Sequence, residues 1–430
     1  MIRSAPSLAH RDYRRYFVGQ SLSLTGYWIQ HTALTWLVYT MSGSNLALGL
    51  VMAASSLPVV FMAPLGGHLA DRFNRARIMA VTQSLAGLMA LTLGLIILSG
   101  HARFWYFPVI GFVNGVLTGL EMPSRNAITG DLVPDTILPN ATGLNSAQYQ
   151  VTRAIGPALA GVLLPLIGFG WCFIINAASY LAVVPVLAMM SSPSTGSEQK
   201  SQSQFGRLTG ANANPPFMDG ECDSPLHERY NGISGGFRLI SDIPGLPMHV
   251  VLLFVVGVLG WSWIVVLPAA ATEIYRVSTH GYAALLMSTA IGALIGSLLV
   301  SQVVRLGLHR DRTAGLGLVL FAFCLVGLGA VHGLNAAILL AAPAGLGITA
   351  YINLTNIRFQ TSVPPAFRGR VMGVYATVIG AMIPCGALVS SAISEHLGPS
   401  WAFRAGALAC GVCGVLILSM KSGARTSPVN

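Results

Sequence analysis

Gly66-Gly67-His68-Leu69-Ala70-Asp71-Arg72-Phe73-Asn74-Arg75-Ala76-Arg77 separates two apolar runs, roughly 46–70 and 77–99. Each run is long enough to cross a bilayer, which takes about 20 largely apolar residues. A short connection carrying one acid and three arginines suits a helical hairpin that turns at a membrane face. The same alternation recurs along all 430 residues. Apolar runs lie at about 16–41, 46–70, 77–99, 104–123, 141–166 and 168–190, then at about 247–272, 280–305, 313–332, 335–357, 369–393 and 399–420. The expected fold is an all-α integral membrane protein of twelve transmembrane helices. Composition agrees: 53% of residues are hydrophobic and 9% are charged, where a soluble domain carries about a quarter charged. A soluble enzyme core and a disordered chain are excluded. Six cysteines, mostly inside apolar runs, do not make a disulfide scaffold.

The twelve runs divide six and six. Residues 1–190 form an N-terminal six-helix bundle, 191–245 a polar linker rich in Ser, Gly, Asn and Pro, 246–420 a C-terminal six-helix bundle, and 421–430 a tail. The linker shows no apolar periodicity. Lys and Arg set the orientation. Of 24 such residues, Arg103, Arg276 and Arg404 lie on one side and Arg153 lies within a run. The other twenty share the opposite side, which is therefore cytoplasmic and holds both termini and the linker. The net charge of +10 is thus a topology signal with lipid headgroups as neighbours, and nucleic acid is not the expected partner. No short apolar segment with a small-residue cleavage site opens the chain, so the first run reads as a helix of the mature protein. The halves also repeat a pattern: Asn126, Val133-Pro134 and Gly143 recur at the same spacing as Asn356, Val363-Pro364 and Gly373. Duplicated transporter halves leave such traces.

The loop has a physical logic. Gly67 allows close approach of a second helix. Asp71, at a helix end, can face a neighbouring helix N-terminus, whose dipole favours negative charge. Arg72, Arg75 and Arg77 hold the loop at the membrane face and can bridge to an acid such as Asp131. The pattern Gly-x-Leu-Ala-Asp-Arg-x-x-Arg resembles the signature loop of the major facilitator superfamily. Asn74 stands where that loop usually has Gly, and Ala76 where a basic residue is usual. Asn tolerates the left-handed backbone that Gly would supply, so the turn is expected to survive.

A second pattern lies in the fifth run: Arg153-Ala154-Ile155-Gly156-Pro157-Ala158-Leu159-Ala160-Gly161. Gly156 and Pro157 kink a helix, and Gly156, Ala160 and Gly161 leave a flat packing face. The run resembles the Gly-Pro-x-x-Gly-Gly motif of exporters in that superfamily. A structural alternative is a Pro-kinked packing helix. Arg11–Gln20, Trp28-Ile29-Gln30, Trp36–Tyr39, Asp131–Pro134, Asn140–Gly143 and Arg368–Gly373 extend the resemblance to the branch that holds the enterobactin exporter and the macrolide efflux pumps. The resemblance implies two pseudo-symmetric six-helix bundles and a secondary active exporter of amphiphilic organic compounds. It implies coupling to protons and a place in a bacterial cytoplasmic membrane. An importer of a small organic solute, or a non-transporting receptor, is the alternative.

In that superfamily runs one, four, seven and ten line a central cavity. Applied here, this gives Trp28, Gln30, His31, Asn114, Trp261, Asn353 and Asn356 as substrate-binding candidates. Polar groups inside apolar runs should face water or a partner, and for His31 an interhelical hydrogen bond is an equal alternative. Arg153 lies 13 residues beyond Asn140, about 20 Å into the membrane. A charge at that depth should face the cavity or a partner, and an anionic substrate would suit it. No acid sits plainly at mid-membrane, so proton coupling falls to Glu121 or His31. No phosphate-binding loop, paired catalytic residues, metal cluster or cofactor motif appears, and Cys410 with Cys413 reads as a packing pair. The expected protein is a monomeric transporter and not an enzyme.

Overall fold

The computed structural model describes residues 6–190, 233–243, 245–261, 263–363 and 368–420. Among the described residues there are helices and no strand. Nine stretches are long and apolar enough to cross a membrane. One of them, Leu138–Met189, runs 52 residues and is really two spans. Gly168 breaks it at φ 81° and ψ 176°, a conformation open to glycine and strained for a side chain. Arg11–Ser42 and Tyr106–Leu132, of 32 and 27 residues, are also long enough. They fall short on apolarity because they carry buried polar side chains, among them Gln20, Thr32, Thr35 and Glu121. With these the described spans number twelve. The two least apolar are the first and the fourth. Both belong to the set expected around a central site.

In order, span one is Arg11–Ser42, two Asn45–Arg72, three Arg75–Leu98 and four Tyr106–Leu132. Five and six flank Gly168, and seven is Leu246–Ile274. Eight is Thr279–Arg305, nine Arg310–Ala330, ten Leu334–Thr361, eleven Arg368–Leu397 and twelve Pro399–Ser419. Span two packs on four, one on five and three on six; eight packs on ten, seven on eleven and nine on twelve. The second set repeats the first, which is the pseudo-symmetry of two six-helix halves. The halves meet where span two runs along eleven and five along eight. Leu166, Leu339 and Leu408 are 73%, 75% and 72% exposed. An outer surface this apolar is covered by lipid, which makes the chain a multi-pass membrane protein.

Three details depart from the sequence-based expectation. First, the linker is not wholly irregular. Ile233–Asp242 is a helix whose Leu239 and Ile240 are buried in the C-terminal core, against span eleven. One short apolar pair is enough to dock ten residues, and a search for longer periodicity passes over it. The remainder, 191–232, and the tail 421–430 lie outside the described residues.

Second, span seven is interrupted by two π-helical turns, Val256–Trp261 and Ala270–Ile274. Such turns rotate the side chains that follow and recur at functional sites. Third, the close approach in the span two loop belongs to Gly66. A Cβ there would stand 2.7 Å from the carbonyl oxygens of Gly119 and Leu120, while one on Gly67 would meet open space. A helix end presents its two adjacent glycines about 100° apart, so only one of them can face span four.

Candidate functional site

The loop between spans two and three turns sharply because Asn74 caps span three. Its Oδ1 accepts the Arg77 backbone N–H at 3.1 Å, and its backbone is extended, with φ −61° and ψ 116°. The left-handed conformation expected for this position is absent. Asn serves here as a helix cap, which leaves the turn without need of glycine. Arg75 reaches back to the end of span four, where Nη1 donates to Asp131 Oδ1 and Oδ2 at 2.9 and 3.1 Å. The Asp71, Arg72 and Arg77 side chains are exposed and take no partner among the described residues. The expected bridge to Asp131 therefore forms, through Arg75 alone. Among the described residues, Asp71 accepts no hydrogen bond from a helix N-terminus.

Mid-membrane, residues from both halves converge on Arg153. Its guanidinium carbon lies 5.8 Å from the ring centroid of Trp28 on span one and 5.4 Å from that of Trp261 on span seven. The first π-helical turn ends at Trp261 and carries its indole to the arginine. Trp28 is fixed on its other sides by ring contacts with His31 at 5.4 Å and Tyr149 at 5.8 Å. Gly156 makes room for it, since a Cβ there would collide with the Trp28 Cβ. One turn before Arg153, Gln150 Nε2 donates to Ser297 Oγ of span eight at 3.1 Å. Asn353 Nδ2 of span ten donates to the same hydroxyl at 3.3 Å. The Trp28 Nε1 and Gln150 Oε1 atoms are buried with no partner. Spans one, five, seven, eight and ten thus meet at one place, which a basic side chain and two indoles define.

Four expected site residues lie elsewhere. Gln30 accepts from Asn176 of span six at 2.7 Å, a bond inside the N-terminal half. Asn356 accepts from Gln360 at 2.6 Å along span ten. Asn114 is half-buried and has no hydrogen bond among the described residues. Glu121 is 5% exposed and fully engaged: Gln83 Nε2 donates to it at 2.8 Å, Thr82 at 3.3 Å and Arg125 Nε at 3.0 Å. That network braces spans three and four. Trp263, two residues past Trp261, is buried against Phe321 and Phe403.

Sequence reasoning missed the seam. Tyr39 Oη donates to Glu273 Oε1 at 2.7 Å, Thr35 and Tyr282 share a hydrogen bond of 2.8 Å, and Trp36 stacks on Tyr282 at 5.0 Å. Glu395 Oε2, at the end of span eleven, accepts the Asn45 and Leu46 backbone N–H groups at 2.7 and 3.3 Å. These are the first N–H groups of span two. Gly161, in the Gly-Pro run, faces the other half, since a Cβ on it would lie 2.5 Å from the Ala283 Cβ. At Gly156 the nearest neighbour of a Cβ is Trp28, of its own half. All these contacts join the halves at mid-depth or on the arginine-poor face. On the arginine-rich face the ion pairs Arg75–Asp131 and Arg358–Asp311 each stay inside one half.

Comparisons with known proteins agree with this geometry. Residues 3–211 match the family described as transmembrane secretion effector, and residues 250–429 match the major facilitator superfamily. The staphyloferrin A transporter of Staphylococcus aureus is 24% identical, over 89% of this chain and 90% of that one. Macrolide efflux protein A of Streptococcus pyogenes is 21% identical over 95% of each. The enterobactin exporter of Shigella flexneri is 22% identical over 95% of this chain and 91% of that one. Among solved structures, a nucleoside transporter superposes with a TM-score of 0.72 at 12% identity, over 95% of this chain and all of that one. A transporter of the POT family superposes at 0.70 with 14% identity, over 95% of each.

Proposed function

Because this chain is a major facilitator superfamily transporter that resembles siderophore and drug exporters, we propose that it is a secondary active exporter of amphiphilic organic compounds. The two halves rock about the Arg153 site and expose it to each face in turn. The placement of the contacts between halves carries this reading. They close the arginine-poor face and leave the ion pairs of the arginine-rich face internal to each half. By the positive-inside rule the arginine-rich face is cytoplasmic. The structure is then the inward-facing state, ready to load cargo from the cytoplasm, with both termini on that side of a bacterial inner membrane.

In this state Asp71 is free. When the inner face closes, it meets the N-terminus of span eleven and latches the gate, as Glu395 meets the N-terminus of span two in the present state. Residues 1–190 and 246–420 are the rocking bodies, and a single copy suffices. Protons drive the cycle. His31, beside Trp28 and Arg153, and Glu121, in the Arg125 network, are the groups we assign to carry them.

The test is accumulation of siderophores and macrolides in cells with and without the gene, repeated with a protonophore. The expected result is lower accumulation of at least one of these compounds with the gene, abolished by the protonophore. Equal accumulation in every pair removes the exporter for those compounds. Asp71→Asn in inverted vesicles should slow export, and unchanged export refutes the latch.

A further inference from the structure

We propose that the Arg153 site selects organic anions. It takes the carboxylate, sulfonate or phenolate of an amphiphile on the guanidinium and the flat apolar part on Trp28 and Trp261. This deepens the exporter reading and rests on its claim that Arg153 marks the transport site.

The argument starts from the acids. The chain has 14 Asp and Glu, and no ion pair between any of them and Arg153 appears among the described residues. Glu121 is paired with Arg125, Asp131 with Arg75 and Asp311 with Arg358. Glu273 accepts from Tyr39, and Glu395 caps span two. Asp12 stands in the first turn of span one, Asp71 at the end of span two, Asp135 in the turn before span five and Asp242 at the end of the linker helix. The remaining five lie between 198 and 228, outside the described residues and outside the twelve spans. Among the described residues Arg153 is thus a charge between apolar spans with no carboxylate paired to it.

Two indole faces hold the guanidinium in place of a counter-ion. Both rings lie within cation–π reach of the guanidinium carbon, and its N–H groups take no hydrogen-bond partner among the described residues, which leaves them available. That edge fits the two oxygens of a carboxylate or sulfonate side by side. A further donor, the buried Trp28 Nε1, has no partner. An anion entering here gains donors and a counter-charge. A cation entering here meets like charge, with no acid paired to Arg153 among the described residues to offset it.

The two indoles come from opposite halves, Trp28 from span one and Trp261 from span seven. Arg153 shares the half of Trp28, so an anion that draws the guanidinium off Trp261 loosens a tie between the halves. Binding of the selected class of cargo then acts directly on the element that must move.

The experiment uses the full chain and a pair of probes alike in shape and opposite in charge, naphthaleneacetate and naphthalenemethylammonium. Binding is read in detergent by quenching of tryptophan fluorescence, and pumping in inverted vesicles. The wild type should bind the acetate more tightly than the ammonium. Arg153→Gln should weaken acetate binding by about tenfold or more and leave or improve ammonium binding. Arg153→Lys, which keeps the charge and loses the fork, should fall between, and its binding also shows that the site remains folded. Preference of the wild type for the ammonium, absent acetate binding, or an equal loss of both probes in Arg153→Gln overturns the proposal. Acetate binding without pumping would sink the exporter reading and leave the anion site standing. Pumping of the ammonium undisturbed by Arg153→Gln would do the reverse.

Discussion

Glu395→Gln should open the arginine-poor face. Glu395 Oε2 serves the first two N–H groups of span two, at 2.7 and 3.3 Å, while the Ser44 side chain accepts from Ala47 N–H at 3.1 Å. Three of the four orphan donors at that helix end are thereby satisfied, two of them by a carboxylate from the other half. A negative charge at an exposed helix N-terminus is worth about 0.3–1 kcal/mol. Glutamine keeps an acceptor oxygen and loses the charge, so the substitution removes about that term alone. At about 1 kcal/mol, the ratio of closed to open forms falls about fivefold.

Spin labels at Met41 and His280, both exposed near this face, report the separation of spans one and eight in a cysteine-free background. The variant should show a larger long-distance population than the wild type. High salt should shrink the difference, because it screens the charge–dipole term. Identical distance distributions, or a shift toward the closed form, would refute the assignment of Glu395 as a seam contact that matters energetically.

Three further outcomes follow from the packing. Gly66→Val should lower the thermal unfolding temperature in detergent sharply, since its Cβ would press on backbone oxygens of span four, whereas Gly67→Ala should stay within about 0.5 kcal/mol of wild type; equal effects would mean that the helix pair is not held by that contact. Gly161→Leu, directed at Ala283 across the halves, should widen the same label distance and slow export, and unaltered export would show that this seam can yield. Glu121→Gln strands Arg125, and breaking such a buried pair costs about 3–5 kcal/mol; because the Arg125 side chain is 38% exposed, about 1–3 is expected once solvent screening is allowed for, read as a lower denaturation midpoint.

What the residues disclosed in advance follows from which forces act locally. A run of apolar side chains must be buried in lipid whatever its neighbours are, so the apolar runs locate all twelve spans, and the polar residues in spans one and four make those two the least apolar. Arg153 was legible for the same reason: an isolated charge at that depth demands an explanation before any partner is known. Partners were not legible. Gln30 and Asn176, 146 positions apart, meet only because spans one and six are neighbours. Glu121 was singled out as a lone acid, and its engagement by Arg125, Gln83 and Thr82 depends on how spans three and four lie together. The π-helical turn that ends at Trp261 carries Gly257 and Gly260, where a Cβ would collide with Met382 of span eleven and Cys410 of span twelve, and no motif in the sequence marks it.

The two acids at the seam show why function was harder to see than fold. Glu273 and Glu395 stand at span ends, where a charge needs no explanation in sequence terms, since water reaches it. Their roles come from the half opposite, a tyrosine hydroxyl for one and a helix N-terminus for the other. A residue that must release its partner once per cycle cannot be buried deeply, because a deep ion pair would hold one state too firmly. The two acids of the seam accordingly stand at exposed positions, where such contacts are worth about a kilocalorie per mole each. The charge that cannot be released, Arg153, is placed mid-membrane between two rings that lie on different moving bodies. Weak ties at the rim and a fixed charge at the centre are what alternating access requires: the rim must reverse on thermal timescales while the centre keeps its hold on the cargo.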